Sequence, residues 1–251
     1  MRDGVYREQA VAADLAAHVA CSWYRRIGEA EAARPVRIVP DGCIDLIWKR
    51  GELRIAGPDT TPWISREPAG AEIAGLRFRS GAATAILGVP ATELVNDRPD
   101  AAAVWGRPAR ELVGRLEAAA SVEAATDVLR AAVRRHLREA TPLDPVVQHV
   151  AASVRQAGGS ASFRVNHLAN HVGLSERQLH RRCRAALGYG PMTLARIVRL
   201  QRFLARVRDG APRSLADAAI ELGYADQSHL TRDVRALTGL PPAALLAEYA
   251  D

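Results

Sequence analysis

Apolar and polar residues alternate with a period of two over much of residues 35 to 79, and beyond residue 80 the spacing of apolar positions lengthens to a helical one. Pro35-Val36-Arg37-Ile38-Val39-Pro40 leads into the turn Asp41-Gly42. Cys43-Ile44-Asp45-Leu46-Ile47-Trp48 then leads through the turn Arg50-Gly51 into Leu53-Arg54-Ile55-Ala56. Two hairpins in succession predict an antiparallel meander. Glu72-Ile73-Ala74-Gly75-Leu76-Arg77-Phe78 adds a strand with Ile73 and Arg77 on one face and Leu76 and Phe78 on the other, and Gly75 marks a bend or bulge. Leu112, Val113 and Leu116 then fall at helical spacing. After Ser121, so do Val122, Ala125, Leu129, Ala132, Val133 and Leu137. Thr141-Pro142-Leu143-Asp144-Pro145 interrupts this pattern and reads as a linker. Two domains follow, 1–140 and 141–251. The second opens with a helix from Pro145 to about Gln156, ended by Gly158-Gly159-Ser160.

In the second domain one unit occurs twice. Leu168, Ala169 and Val172 line a short helix, Gly173 suits the left-handed turn that ends it, and Ser175 with Gln178 forms a capping box. The next helix buries Leu179, Cys183 and Leu187 at four-residue steps, which turns Arg177, His180, Arg181 and Arg184 outward. Gly188-Tyr189-Gly190-Pro191 stops it. A helix from Pro191 to about Val207 follows, with Ile197, Leu200, Leu204 and Val207 in one stripe and Arg196, Arg199, Arg202 and Arg206 around the rest. The unit then recurs: Ser214 as cap, Leu215, Ala218, Ala219 and Leu222 as packed face, Gly223 as turn, and Asp226 as cap of a helix that buries Leu230, Val234 and Leu237. Gln227, Ser228, Thr231, Arg232 and Arg235 are left outward, and Gly239-Leu240-Pro241-Pro242 closes the unit. These are two helix-turn-helix units, at about 165–187 and 214–238. At about 1.5 Å per residue, the helix between them holds them roughly 25 Å or more apart, near the pitch of B-DNA.

Charge agrees with this division. Residues 141 to 251 hold 14 arginines against 9 acids, whereas residues 1 to 140 hold 20 basic against 19 acidic groups. Such an asymmetry suits a second domain that meets a polyanion, and a small surplus is also common on a solvated surface. Lys49 is the only lysine; a GC-rich genome produces such a bias, and arginine also suits bidentate contacts to phosphate and guanine. Cys21, Cys43 and Cys183 make neither a disulfide framework nor a four-thiolate zinc site. His18, His136 and His149 are scattered, so no metal or other cofactor is expected. No Gly-rich phosphate loop or nucleophile elbow is present, and no enzymatic activity is expected. Without a signal sequence or an apolar run of spanning length, the expected location is the cytoplasm.

The second domain closely resembles the DNA-binding domain of the AraC/XylS family of bacterial transcription regulators. The resemblance rests on Leu168-Ala169, Gly173-Leu174-Ser175, Gly188-Tyr189-Gly190-Pro191, Ala219 with Gly223-Tyr224, the run Asp226 to Arg232, and Gly239 with Pro242. It implies a one-component regulator that binds duplex DNA in the major groove through two recognition helices. Base contacts fall on Arg177, His180 and Arg181 and on Gln227, Ser228 and Arg232, with Thr231 on the same outward face and Arg184 and Arg235 better placed for phosphate. Cys183 and Val234 stand where the family usually has Phe, and Ala218 where it has a large aliphatic residue.

The resemblance makes the fold α+β: a β-rich, cupin-like or barrel-like N-terminal domain with trailing helices, then an all-α tandem reader. The N-terminal domain is similar to the poorly characterised β-rich domains that precede such readers. Trp48, Trp63, Asp45, Arg77 and Arg79 are its candidate effector-binding residues, because aromatic walls with a few charges suit a small-molecule pocket. Three roles stay open: it senses an effector, it only dimerises through the stripe Val122 to Leu137, or it carries a cysteine that is alkylated or oxidised while the second domain delivers it to DNA. The expected partners are double-stranded DNA and a small-molecule effector, with RNA polymerase and a second copy of the chain as further candidates, and no membrane.

Overall fold

The computed structural model describes residues 4–32, 34–158, 164–210 and 214–250. Two compact units emerge. The first comprises Met1–Val36, Cys43–Pro58 and Ile64–Leu143, and the second Arg37–Gly42, Asp59–Trp63 and Asp144–Asp251.

The first unit is built on strands β1 (Val5–Gln9), β2 (Val19–Arg26), β4 (Ile44–Lys49), β5 (Glu52–Ala56) and β7 (Glu72–Phe78), with helices α1 (Glu29–Ala32), α2 (Ala83–Leu87), α3 (Ala101–Trp105), α4 (Arg107–Glu117) and α5 (Val122–His136). The strands form one sheet in the order β1-β2-β7-β4-β5, antiparallel throughout, so β1 and β5 are its edges. Arg50 and Gly51 both take positive φ, as the tight β4–β5 hairpin requires. The other expected hairpin, through Asp41-Gly42, does not form. Strand β3 (Val36–Ile38) pairs instead with β6 (Trp63–Ser65) as a separate two-stranded ribbon. β3 is short, and Pro40 lacks the N–H that a longer β3–β4 ladder would need.

Alternation sorts the sheet residues onto two faces. Ile44, Leu46, Leu53, Ile55, Leu76 and Phe78 join Leu112 and Leu116 of α4 and Leu129 and Val133 of α5 in one core. The expected stripe on α5 is therefore used largely inside its own unit, against β7 and β2. Cys21, Trp23, Ile27 and Ile73 form a smaller cluster on the other face. Gly75 makes no bulge in β7, which pairs in continuous register with β4; the irregularity lies in β2, between Val19 and Cys21. The glycine is needed for another reason: a Cβ there would lie 2.2 Å from the Trp23 indole, which crosses it.

The second unit holds α6 (Pro145–Gln156), α7 (Val165–His171), α8 (Glu176–Leu187), α9 (Pro191–Arg208), α10 (Leu215–Glu221), α11 (Gln227–Thr238) and α12 (Pro242–Ala250). Gly159 and Ser160, read as the break after α6, lie outside the described residues. One core joins all the helices: Val150 and Val154 of α6, Leu179 and Cys183 of α8, Ile197, Leu200 and Phe203 of α9, Leu230 and Val234 of α11, and Leu245 of α12, among others. Arg37 belongs to this unit, donating to the Thr238 carbonyl oxygen at the end of α11 and pairing with Glu248 at 3.1 Å. α12 extends the chain as a helix beyond the point where the sequence reading closed the repeat.

Candidate nucleic-acid interface

The two helix-turn-helix units are built by matching local interactions. Gly173 and Gly223 take φ of 67° and 72°, a left-handed conformation that costs glycine least. In the first unit Leu174 N–H donates to the Ala169 carbonyl at 2.9 Å; in the second Tyr224 N–H donates to Ala219 at 2.8 Å. α8 is then capped by the full box, Ser175 with Gln178, and α11 by Asp226, whose carboxylate accepts from His229 N–H at 2.6 Å. The first helices, α7 and α10, start 50 residues apart, whereas α8 and α11 start 51 apart, so the second turn carries one extra residue. Left-handed Gly188 and Gly239 end the recognition helices, and Pro191 and Pro242 start the helices that follow.

Burial fixes which side of each recognition helix is free. Leu179, Cys183 and Leu187 point into the core from α8, and Leu230, Val234 and Leu237 from α11. Burial also pushes the Cys183 thiol up to about 12, as an apolar surrounding should. On the outward side Arg177, His180, Arg181 and Arg184 of α8 are exposed, as are Gln227, Ser228, Arg232 and Arg235 of α11, while Thr231 is half-buried. Arg177, His180, Arg181 and Arg184 follow the i, i+3, i+4, i+7 spacing of one helix face, and Ser228, Thr231, Arg232 and Arg235 repeat it. Arg177, Arg181, Arg184 and Arg235 make no ion pair among the described residues, and Arg232 only closes a 3.4 Å bond to its own helix at the Ser228 carbonyl. α8 carries no acid beyond Glu176, and the single acid of α11, Asp233, is buried. Each recognition helix therefore presents a face that carries arginines, beside His180 on α8 and beside Gln227, Ser228 and Thr231 on α11, with no acid at the four outward positions of that face. Such a face can grip phosphates and read base edges.

His180 differs from its neighbours. A Cβ on Gly190 would lie 2.5 Å from its imidazole, so the ring rests on the turn that leaves α8. Gly190 is needed for this close approach, since its φ of −78° suits any residue.

Arg199 and Asp233 are where a reading of local pattern falls short. Arg199 was expected on the solvated side of α9 but is only 3% exposed. It meets Asp233 at 3.4 Å and lies over the Tyr224 ring at 4.6 Å, while Arg196 reaches the same carboxylate at 2.9 Å. Burial, helped by the Asp233 charge, holds the Tyr224 hydroxyl far above the usual phenol range. Charge at a helical position cannot reveal such a pair, because the partners are 34 residues apart.

In the first unit the expected effector residues Asp45, Trp48, Arg77 and Arg79 are not gathered at one point, and the fifth, Trp63, falls in the second unit. Asp45 and Arg77 are cross-strand partners joined by two bonds of 3.1 and 3.0 Å, and Trp23 Nε1 donates to the same carboxylate at 3.2 Å. Trp48 lies on the opposite face of the sheet, against the helix-covered core. Arg79 is exposed and donates to the Ala16 carbonyl, and Trp63 is 46% exposed on β6. The indole N–H groups of Trp48 and Trp105 are buried with no acceptor among the described residues. Cys21 is buried and Cys43 half-buried. No helix among the described residues is long and apolar enough to cross a membrane.

Comparison with known proteins bears on both units. Residues 168–248 match a family described as a helix-turn-helix domain, of the AraC type, and residues 8–100 match a domain of unknown function (DUF6597). The second unit thus carries a helix-turn-helix domain of that type over residues 168–248. No curated protein matches the chain. Among solved structures, the C-terminal domain of AraT, a response regulator from Geobacillus stearothermophilus, is 16% identical, with 43% of this chain and 88% of that one covered and a TM-score of 0.40. A probable AraC family transcriptional regulator from Rhodopseudomonas palustris is 27% identical over 42% of this chain and 97% of its own, with a TM-score of 0.37. ToxT from Vibrio cholerae is 7% identical over 98% of each chain, with a TM-score of 0.48.

Proposed function

We propose that the protein binds a specific, asymmetric duplex site by placing α8 and α11 in successive major-groove faces. Arg177, Arg181, Gln227, Ser228 and Arg232 contact base edges; Thr231 and His180 border them, and Arg184 and Arg235 hold phosphates. The observation that carries this reading is the duplicated outward face, with arginines at the same two places of two equivalently capped and buried helices. α9, 18 residues long, spans about 27 Å, close to the roughly 34 Å turn of B-DNA that separates successive faces of the groove. Site selection from random duplexes with the full-length protein tests it. Two different half-sites about one helical turn apart support the reading, and salt-sensitive binding with no motif overturns it.

We propose further that the first unit is the regulatory one and takes a small apolar molecule bearing a hydrogen-bond acceptor. Its support is the two buried indole N–H groups, on Trp48 and Trp105, each without an acceptor among the described residues, since a buried donor left unmade is costly. Melting the protein across a panel of metabolites tests this: a ligand that binds only the folded state raises the midpoint. A flat response across apolar carboxylates and carbonyl compounds overturns it.

A further inference from the structure

The two recognition helices are tied to the helices beneath them by ion pairs of opposite polarity. In the first unit the acid is on the underlying helix: Asp144, which caps α6 through the N–H groups of Val146 and Val147, meets Arg182 of α8 at 3.4 Å. Position 233 is the counterpart of 182, each three residues after a buried leucine, Leu179 or Leu230. There the acid is on the recognition helix, and Arg196 and Arg199 of α9 supply the cations. The two ties differ in depth as well as sign. Asp144 and Arg182 keep 32% and 44% of their side chains exposed, whereas those of Asp233 and Arg199 are 8% and 4% exposed.

A carboxylate this deep is costly to bury and is retained only when its oxygens are held. Asp233 Oδ1 accepts from Arg196 Nε at 2.9 Å, Oδ2 accepts from Arg199 Nη2 at 3.4 Å, and His229 Nε2 lies 3.8 Å from Oδ2. At about 100° per residue, Asp233 points roughly 160° away from Thr231 and Arg235, on the back of the face that would meet DNA. The apolar stripe of Leu230, Val234 and Leu237 fixes how close α11 lies to the core, but apolar contact is non-directional and tolerates rotation. Charge-assisted bonds from two arginines to one carboxylate do not.

We infer that Asp233 is a positioning residue: clamped by Arg196 and Arg199, it sets the rotation of α11 about its own axis and thereby aims Ser228 and Arg232 at the bases. The inverted polarity also keeps each recognition helix on its own support, since α8 set against α9 would bring Arg182 up to Arg196. This inference rests on the reading of α11 as a recognition helix.

The test uses the full-length protein and a duplex obtained by site selection with the wild type, with protection of each half-site followed separately by quantitative footprinting. Asp233→Asn keeps the shape and removes the charge. It is expected to weaken protection of the half-site under α11 by about tenfold, the order of one lost base contact, and to leave the half-site under α8 unchanged. Asp233→Glu, which retains a carboxylate within reach of both arginines, is expected to restore most of it. Should Asp233→Asn not fold, as judged by its melting curve, Arg196→Gln provides the same test, with a smaller loss at the same half-site. Protection equal to wild type in the folded variants overturns the inference. So does an equal loss at both half-sites that Asp233→Glu does not relieve, which would mark Asp233 as a stabilising residue only. If the wild type selects no sequence at all, the recognition reading beneath the inference falls instead.

Discussion

Arg181 and Arg232 occupy the same place in two equivalent helices: each follows a buried leucine by two positions, precedes an arginine by three, and is exposed. One side chain presented identically at two points of a double reader is the geometry for two separate base contacts. Arg181→Ala and Arg232→Ala are each expected to lower affinity for the selected site by about 1–3 kcal/mol and to relax base preference at one position, in different half-sites. Repeated site selection with each variant checks this, and a motif unchanged in both would show that these arginines do not read sequence.

Arg184 and Arg235 lie one turn further along the same faces, where phosphate is the nearer partner. Replacing either with alanine is expected to weaken binding to specific and unrelated duplexes alike. It should also reduce the slope of log affinity against log salt by about one counterion per arginine. Titrations at several salt concentrations measure that slope directly.

Gly75 allows the Trp23 indole to lie flat across β7, and the ring then donates to Asp45. Gly75→Ala would place a methyl carbon inside that ring's contact distance, in a strand held on both sides by β2 and β4. The expected cost is about 1–3 kcal/mol, the usual range for overpacking, confined to the first unit. Urea unfolding followed by tryptophan fluorescence reads it, because all four tryptophans lie before residue 106.

The Cys183 thiol is buried between α8 and the helices it packs on, and its ionisation is pushed up from 9.0 to about 12. Below about pH 9 the thiol is neutral whether the chain is folded or not, and stability is unaffected. As pH rises from 9 towards 12 only the unfolded chain ionises, so stability is lost across that window. Unfolding of the second unit is therefore expected to become easier between about pH 9 and about pH 12, with Cys183→Ala showing a shallower slope from a lower starting stability. The native thiol is also expected to resist alkylation at pH 8 and to react once denatured.

Much of the second unit was legible because its signals are local. Ser175 and Gln178 are three residues apart and form their capping box within one turn of helix, and Gly173 and Gly223 end short helices in the expected left-handed conformation. The stripes Leu179-Cys183-Leu187 and Leu230-Val234-Leu237 follow from the helical period alone. The first unit was less legible. β1 is a polar edge strand, and β2 is buried on both faces at Cys21, Ser22 and Trp23, so neither shows the alternation that marks a half-buried strand. Asp45 and Trp48, grouped at first as one candidate pocket, are an odd number of residues apart on one strand and must face opposite ways.

What the sequence by itself determined is the set of elements whose stability is decided within a few residues: the two helix-turn-helix units, their caps, and the outward stripe of arginines. Tertiary structure alone decided which distant groups meet. It paired β3 with β6 across 24 intervening residues, took the α5 stripe into the sheet's own core, and drew Arg199 of α9 into the interior to meet Asp233 of α11. The physical reason is that a buried charge is tolerated only where another element supplies its counter-charge, and that partner is set by packing rather than by neighbourhood along the chain.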